Sequence, residues 1–193
     1  MEDNWTRLRR DCDGCERCAL CRGRGKLVFG DGSETARIML IGEGPGEQED
    51  LQGLPFVGPA GKLLDDMLEL IDLDRSKVYI ANIVKCRPPR NRDPLPEEQA
   101  ACSSFLARQI ALVQPMIIVC LGRIAAQGII KADLRITREH GKWFEHAGTM
   151  YMATYHPSAL LRDESKRPEA FEDLVKLRQQ IRELCPEVYE IKK

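Results

Sequence analysis

Three short apolar runs constrain this chain more than any other feature. They are Ile38-Met39-Leu40-Ile41, Val78-Tyr79-Ile80-Ala81-Asn82-Ile83-Val84 and Met116-Ile117-Ile118-Val119-Cys120-Leu121. Short continuous apolar runs suit strands covered on both faces. Segments with helical spacing lie between them: Leu63, Leu64, Met67, Leu68 and Ile71, then Cys102, Phe105, Leu106, Ile110 and Val113. The second of these starts favourably, with Pro96 followed by Glu97 and Glu98. Residues 123–131 and 168–184 read as further helices, and residues 1–10 as a short polar helix or frayed arm. Residues 134–147 read as a hairpin, and Met150 to Thr154 as a last strand. Strands alternating with helices predict an α/β fold, a three-layer α/β/α sandwich around a central parallel four-stranded sheet. Right-handed crossovers put the strand C-ends on one edge, so the loop after Ile41, Asn82 and His156 should converge where such sheets bind ligands.

The 193 residues suit one such domain, with a cysteine-rich segment over about 11–36 attached to it. Apolar residues at 43% and charged residues at 31% are ordinary for a chain with a packed core. With 29 basic and 30 acidic side chains the net charge is -1, which excludes a general basic coat for nucleic acid but not a local patch. No apolar run is long enough to span a bilayer, so no membrane partner is expected. The start, Met1-Glu2-Asp3-Asn4, is acidic and polar and unlike a secretory signal. The expected location is the cytoplasm.

Gly42-Glu43-Gly44-Pro45-Gly46 tempts a dinucleotide reading, but Glu47 breaks the spacing; Gly61-Lys62 tempts a phosphate-loop reading, but Phe56 and Leu63 break that one. Acids at Glu43, Glu47, Glu49 and Asp50 would repel phosphate. They suit a polar organic group or a water nucleophile.

Of eight cysteines, Cys12, Cys15, Cys18 and Cys21 repeat at every third position. In a reducing compartment this points to metal or redox chemistry. The ligands are either this run or a local pair joined by Cys86, after a strand, and Cys102, in the next helix. Zinc and a [4Fe-4S] cluster both suit four thiolates. Cys120, in a strand, and Cys185, at a helix end, read as buried packing thiols.

Cys15-x2-Cys18, Gly42-Glu43-Gly44-Pro45-Gly46-Glu47-x-Glu49-Asp50, Pro55-Phe56-Val57-Gly58, Asn82-Ile83-Val84-Lys85-Cys86-Arg87-Pro88-Pro89 and His156-Pro157-Ser158 occur in that order. Together they resemble the family 4, iron–sulfur type, uracil-DNA glycosylases, from about residue 12 to 180. The resemblance implies a [4Fe-4S] cluster on Cys15, Cys18, Cys86 and Cys102, with Cys12 and Cys21 as extra thiols. It implies a structural cluster that ties the cysteine-rich segment to the domain and pins the loop after Cys86 near DNA. The implied reaction is hydrolysis of the N-glycosidic bond of uracil in base-excision repair. By resemblance, Glu43 is the water-side carboxylate and Glu49 the wall against a 5-methyl group, with Gly42 and Gly44 in the substrate loop.

The chemistry of that reaction assigns further residues. The base must leave the stack and be read in a pocket. An amide at Asn82 can accept from uracil N3–H and donate to O4, a pattern opposite to that of cytosine. Phe56 would stack on the base. His156 would donate to O2 as negative charge develops on the departing base. Leu161 and Arg162 would fill the gap in the duplex, while Arg87, Arg90 and Arg92 contact phosphates. No lysine is placed as a Schiff-base nucleophile, so the enzyme is expected to be monofunctional. The expected partner is uracil-containing DNA, single- or double-stranded, met at the nucleoid by a monomer, with a sliding clamp as a further partner. The alternatives are an iron–sulfur electron-transfer protein and an inactive DNA-binding module of the same fold.

Overall fold

The computed structural model describes residues 4–190. Its strands are β1 (Asp31–Gly32), β2 (Ile38–Gly42), β3 (Val78–Asn82), β4 (Ile117–Leu121), β5 (Trp143–His146) and β6 (Thr149–Thr154). They form one six-stranded sheet in the order β1-β3-β2-β4-β6-β5. The four central strands run parallel, as expected. The expected four-stranded sheet is therefore the centre of a wider one, flanked by antiparallel β1 on β3 and β5 on β6. The edge strands carry no apolar run: β1 has only two residues, and β5 ends in Glu145 and His146.

The helices are α1 (Trp5–Asp13), α2 (Glu47–Gln52), α3 (Pro59–Glu69), α4 (Pro96–Val113), α5 (Arg123–Ile129), α6 (Ile136–Glu139), α7 (Pro157–Arg162) and α8 (Arg167–Leu184). Of the helix expected over 1–10, residues 1–3 lie outside the described residues, as does most of the acidic start Met1-Glu2-Asp3-Asn4. The hairpin expected over 134–147 is displaced toward the C-terminus. Its first part coils as α6, and the true hairpin joins β5 to β6 through Ala147 and Gly148, at φ 50° and 80°. Helix α2 was not anticipated. It forms from the acidic loop because Glu47, Glu49 and Asp50 occupy its first turn, where the helix dipole favours negative charge.

Every residue of β2, β3 and β4 is buried. Successive strand side chains point to opposite faces. Met39, Ile41, Tyr79, Ala81, Ile118 and Cys120 therefore share one core with Leu8 of α1 and Phe105 and Leu106 of α4. Ile38, Leu40, Val78, Ile80, Ile117 and Val119 share the other with Leu64 and Leu68 of α3 and Leu174, Leu177 and Ile181 of α8. Burying each such side chain contributes about 1.5–3 kcal/mol. That contribution holds the register in which Gly42 pairs with Asn82 and Leu121 with Thr154. The strand ends are thus level, and the loops that follow them leave from one edge. No helix among the described residues is long and apolar enough to cross a membrane.

Candidate active site

The level strand ends form one wall of an open cleft, with Glu43, Phe56, Asn82, Arg123, His156 and Leu161 among its lining residues. Asn82 closes β3 and is buried, yet its Oδ1 accepts no hydrogen bond among the described residues. Leaving a buried acceptor unpaired costs about 1–3 kcal/mol. A donor from a bound molecule would remove that cost. The atom is reachable because its neighbour across the ladder is Gly42. A Cβ there would lie 2.5 Å from Asn82 Oδ1 and 2.7 Å from Phe56 Cζ.

Phe56 is buried and holds a left-handed backbone, φ 53°. Its ring stacks on His156, with centroids 5.5 Å apart and planes 30° apart. His156 follows β6 and caps α7: its Nδ1 accepts from Ser158 N–H at 3.1 Å and lies 2.8 Å from Ser158 Oγ. With Nδ1 accepting, the ring proton belongs on Nε2. Burial, reinforced by the charge of Arg162, lowers the His156 pKa to about 4, so the ring is a neutral N–H donor at pH 7.

Glu43 follows Gly42, and its carbonyl accepts from Val84 N–H at 3.1 Å, which fixes the loop. Burial, then the charge of Asp93, raises its pKa to about 7 against the opposing pull of Arg123 and Arg162. Asp93 and Arg123 form an ion pair on the cleft. Neither was singled out from sequence, although Arg123 stands just beyond the end of β4. Glu49 accepts from Val57 N–H and Gly58 N–H, both at 2.8 Å through Oε1. Its Oε2 would lie 2.6 Å from a Cβ at residue 46, so the carboxylate takes the space a side chain at Gly46 would need.

The cations of the loop after Cys86 differ in what they are free to do. Arg92 holds buried Glu98 through both guanidinium ends, at 2.7 and 2.8 Å, and its main role in this structure is to fix the start of α4. Arg87 donates to Asn91 Oδ1 at 2.8 Å and pairs with Glu47 at 3.5 Å. Arg90 is exposed. Leu161 and Arg162 are also exposed and line the cleft mouth, while Leu160 turns into the core.

Next to the same loop, Cys12, Cys15, Cys18, Cys21, Cys86 and Cys102 line a second, smaller cavity, walled by Leu20, Leu27, Val84 and Phe105. The N-terminal segment and the Cys86 loop do meet there. Among the described residues no three His, Cys, Asp or Glu groups converge on a single ion position. The thiols instead ring a space. Cations attend them. Arg24 Nη1 lies 3.5 Å from Cys86 Sγ, and Lys85, fully buried, lines the cavity while its Nζ donates to Asn82 O at 3.0 Å and Gln109 Oε1 at 2.6 Å. Asp50 of α2 receives Gly25 N–H at 2.9 Å, which ties the cysteine segment to the cleft loop.

Comparison with known proteins places this geometry in context. The family model described as the uracil DNA glycosylase superfamily matches residues 29–181. A type-4 uracil-DNA glycosylase from Archaeoglobus fulgidus is 46% identical over 184 residues, 91% of this chain and 90% of that protein. One from Sulfurisphaera tokodaii is 41% identical, over 92% of this chain and 84% of that protein. One from Thermotoga maritima is 45% identical, over 84% and 86%.

Proposed function

The chain belongs to the uracil-DNA glycosylase superfamily, and from that premise we propose how its own residues excise uracil from DNA by hydrolysis of the N-glycosidic bond. The observation that carries the reading is Asn82 Oδ1, a buried acceptor without a partner in a cleft. Uracil N3–H supplies the missing donor and cytosine N3 does not. Phe56 covers the face of the flipped base, and Gly42 leaves room for both contacts. Glu49, filling the space beside Gly46, stands against a 5-methyl group. Gly44 lets the substrate loop pack against Val84, whose Cγ2 would lie 2.8 Å from a Cβ there. As the glycosidic bond breaks, electrons move onto the base, and His156 Nε2–H donates to O2. Glu43 orients the water that attacks the sugar carbon and takes up its proton. Arg87, Arg90 and Arg162 meet phosphates and Leu161 occupies the vacated stack, while Arg92 acts through Glu98 on the shape of the loop. All of these residues come from one chain, so a monomer suffices.

For the cysteines we propose a [4Fe-4S] cluster on Cys15, Cys18, Cys86 and Cys102. The donor set supports it: thiols ring an apolar cavity, and Lys85 and Arg24 supply counter-charge for an anionic thiolate-bound group. The cluster supplies structural cross-linking, which holds the loop after Cys86 against the sheet. Cys12 and Cys21 stand beside the set as additional thiols.

A direct test uses an oligonucleotide with one uracil, treated with alkali after incubation to cut abasic sites, beside matched thymine and cytosine strands. Cleavage at uracil alone is expected, and intact uracil strands would refute the reading. The pH profile checks Glu43 separately. It must be ionised to take a proton, so excision rises with pH along a limb near its pKa of about 7. Asp93→Asn removes a like charge and moves that limb to lower pH; Glu43→Gln removes the limb along with most of the rate. Cys86→Ala should lose the brown colour of the cluster and most of the folded protein together. If Cys86→Ala keeps both, Cys86 is not a ligand.

A further inference from the structure

Phe56 holds a backbone conformation that a residue with a Cβ rarely adopts, with φ 53°. Something must impose it. The loop carrying it is gripped from two sides. Glu49 Oε1 takes the N–H groups of Val57 and Gly58. From the other side Arg75 reaches in: Nη1 donates to Pro55 O at 3.0 Å, and Nη2 donates to Phe56 O. Arg75 is itself steadied by Asp65 of α3, with Nε 2.7 Å from Oδ1. The Phe56 carbonyl sits where a Cβ at Gly61 would be, 1.8 Å from that position, so α3 can pack under the loop only with glycine there. Arg75 also lies in the turn that leads directly into β3, the strand ending in Asn82. One guanidinium thus joins the start of the strand that carries Asn82 to the loop that carries Phe56.

We propose that Arg75 is a positioning residue for base capture: its two carbonyl bonds hold the Phe56 ring at the spacing from Asn82 that a single flipped pyrimidine requires. The proposal rests on the reading of Phe56 as the residue that stacks on the base. Arg75 does not line the cleft, so its loss acts on capture. Arg75→Met keeps the apolar stem and removes every donor. Base–aromatic stacking is worth about tenfold or more in binding, so kcat/KM on a uracil oligonucleotide should fall about tenfold, mainly through KM. Asp65→Asn leaves the carbonyl bonds in place and should cost less than threefold.

The deciding measurement is a double-mutant cycle between Arg75→Met and Phe56→Ala. If Arg75 acts through Phe56, it adds no further loss once the ring is gone. If the two losses multiply, Arg75 acts elsewhere and the proposal is overturned. If Phe56→Ala alone excises at the wild-type rate, the stacking reading fails instead, which is a distinguishable result. Should Arg75→Met not fold, Arg75→Lys, which keeps the charge and a donor, enters the same cycle with a smaller expected loss and the same criterion.

Discussion

Replacing His156 by alanine should slow uracil release by about 10²–10³-fold, the usual cost of deleting one donor aimed at a developing oxyanion, and should leave DNA affinity near wild type. The donor must already be in place and neutral. With its pKa lowered to about 4, the imidazole carries one ring proton at pH 7, and Ser158 occupies Nδ1. Nε2–H is thus left free for the proposed donation to the base. His156 has a second task that would confuse the simple experiment, because it caps α7. Loss of a cap costs about 1 kcal/mol, so part of any defect in the alanine variant would be loss of stability. His156→Asn separates the two. Asparagine is a favoured cap and can accept from Ser158 N–H, but its short amide does not extend to where Nε2 stood. The melting temperature should return toward wild type in His156→Asn while excision stays low. A His156→Asn enzyme with restored rate would show that the imidazole matters only as a cap.

The parts of this site that were legible in the sequence share a property: each lies in or beside a recognisable run. His156 follows a strand, Cys86 and Cys102 stand on either side of a proline-rich loop with a helix start, and Asn82 is the polar residue inside the apolar run to Val84, where the strand itself stops. Strand continuity and parallel register then bring Asn82 and His156 to one edge. Arg92 shows where such reading stops. In the sequence it is one of three loop cations between residues 87 and 96, and nothing local says that its partner is Glu98, a buried carboxylate six residues on in the first turn of α4. Arg75 and Lys85 are harder still. Their partners are main-chain carbonyls of Pro55, Phe56 and Asn82, and a carbonyl has no signature in composition or spacing. The misplaced hairpin has a simpler cause. Leu134 and Ile136 are apolar and sit two residues apart, which imitates a strand, but they turn into the core ahead of and within a single turn of helix.

Asn82→Asp should collapse the preference for uracil over cytosine by about 10²-fold or more. Sites built to pair a buried hydrogen-bonding group reject the wrong pattern by up to about 10⁴–10⁵, so a wide range is available to lose. The reason lies in the number of donors. The amide presents one acceptor and one N–H donor, and uracil presents N3–H and O4, so both pairs form. An ionised carboxylate presents acceptors only, which leaves O4 facing a negative charge. A protonated carboxyl offers one donor and one acceptor, and because either oxygen can carry the proton it also pairs with cytosine N3 and its N4 amino group. In the ionised state uracil loses a pair, and in the protonated state cytosine gains both, so the preference falls either way. The backbone of residue 82 does not depend on the side chain: its carbonyl is held by Lys85 Nζ at 3.0 Å, and the ladder continues through Ile83 N–H to Gly42 O at 2.9 Å. The variant should therefore fold, and a change in kcat/KM reports on base reading. The measurement is kcat/KM on matched single-uracil and single-cytosine oligonucleotides across pH. A preference that stays at the wild-type value would remove Asn82 from the reading of the base and leave its unpaired Oδ1 without a purpose. A preference that falls at every pH, with cytosine release appearing only where the carboxyl is protonated, would show that this one acceptor decides which base the cleft accepts.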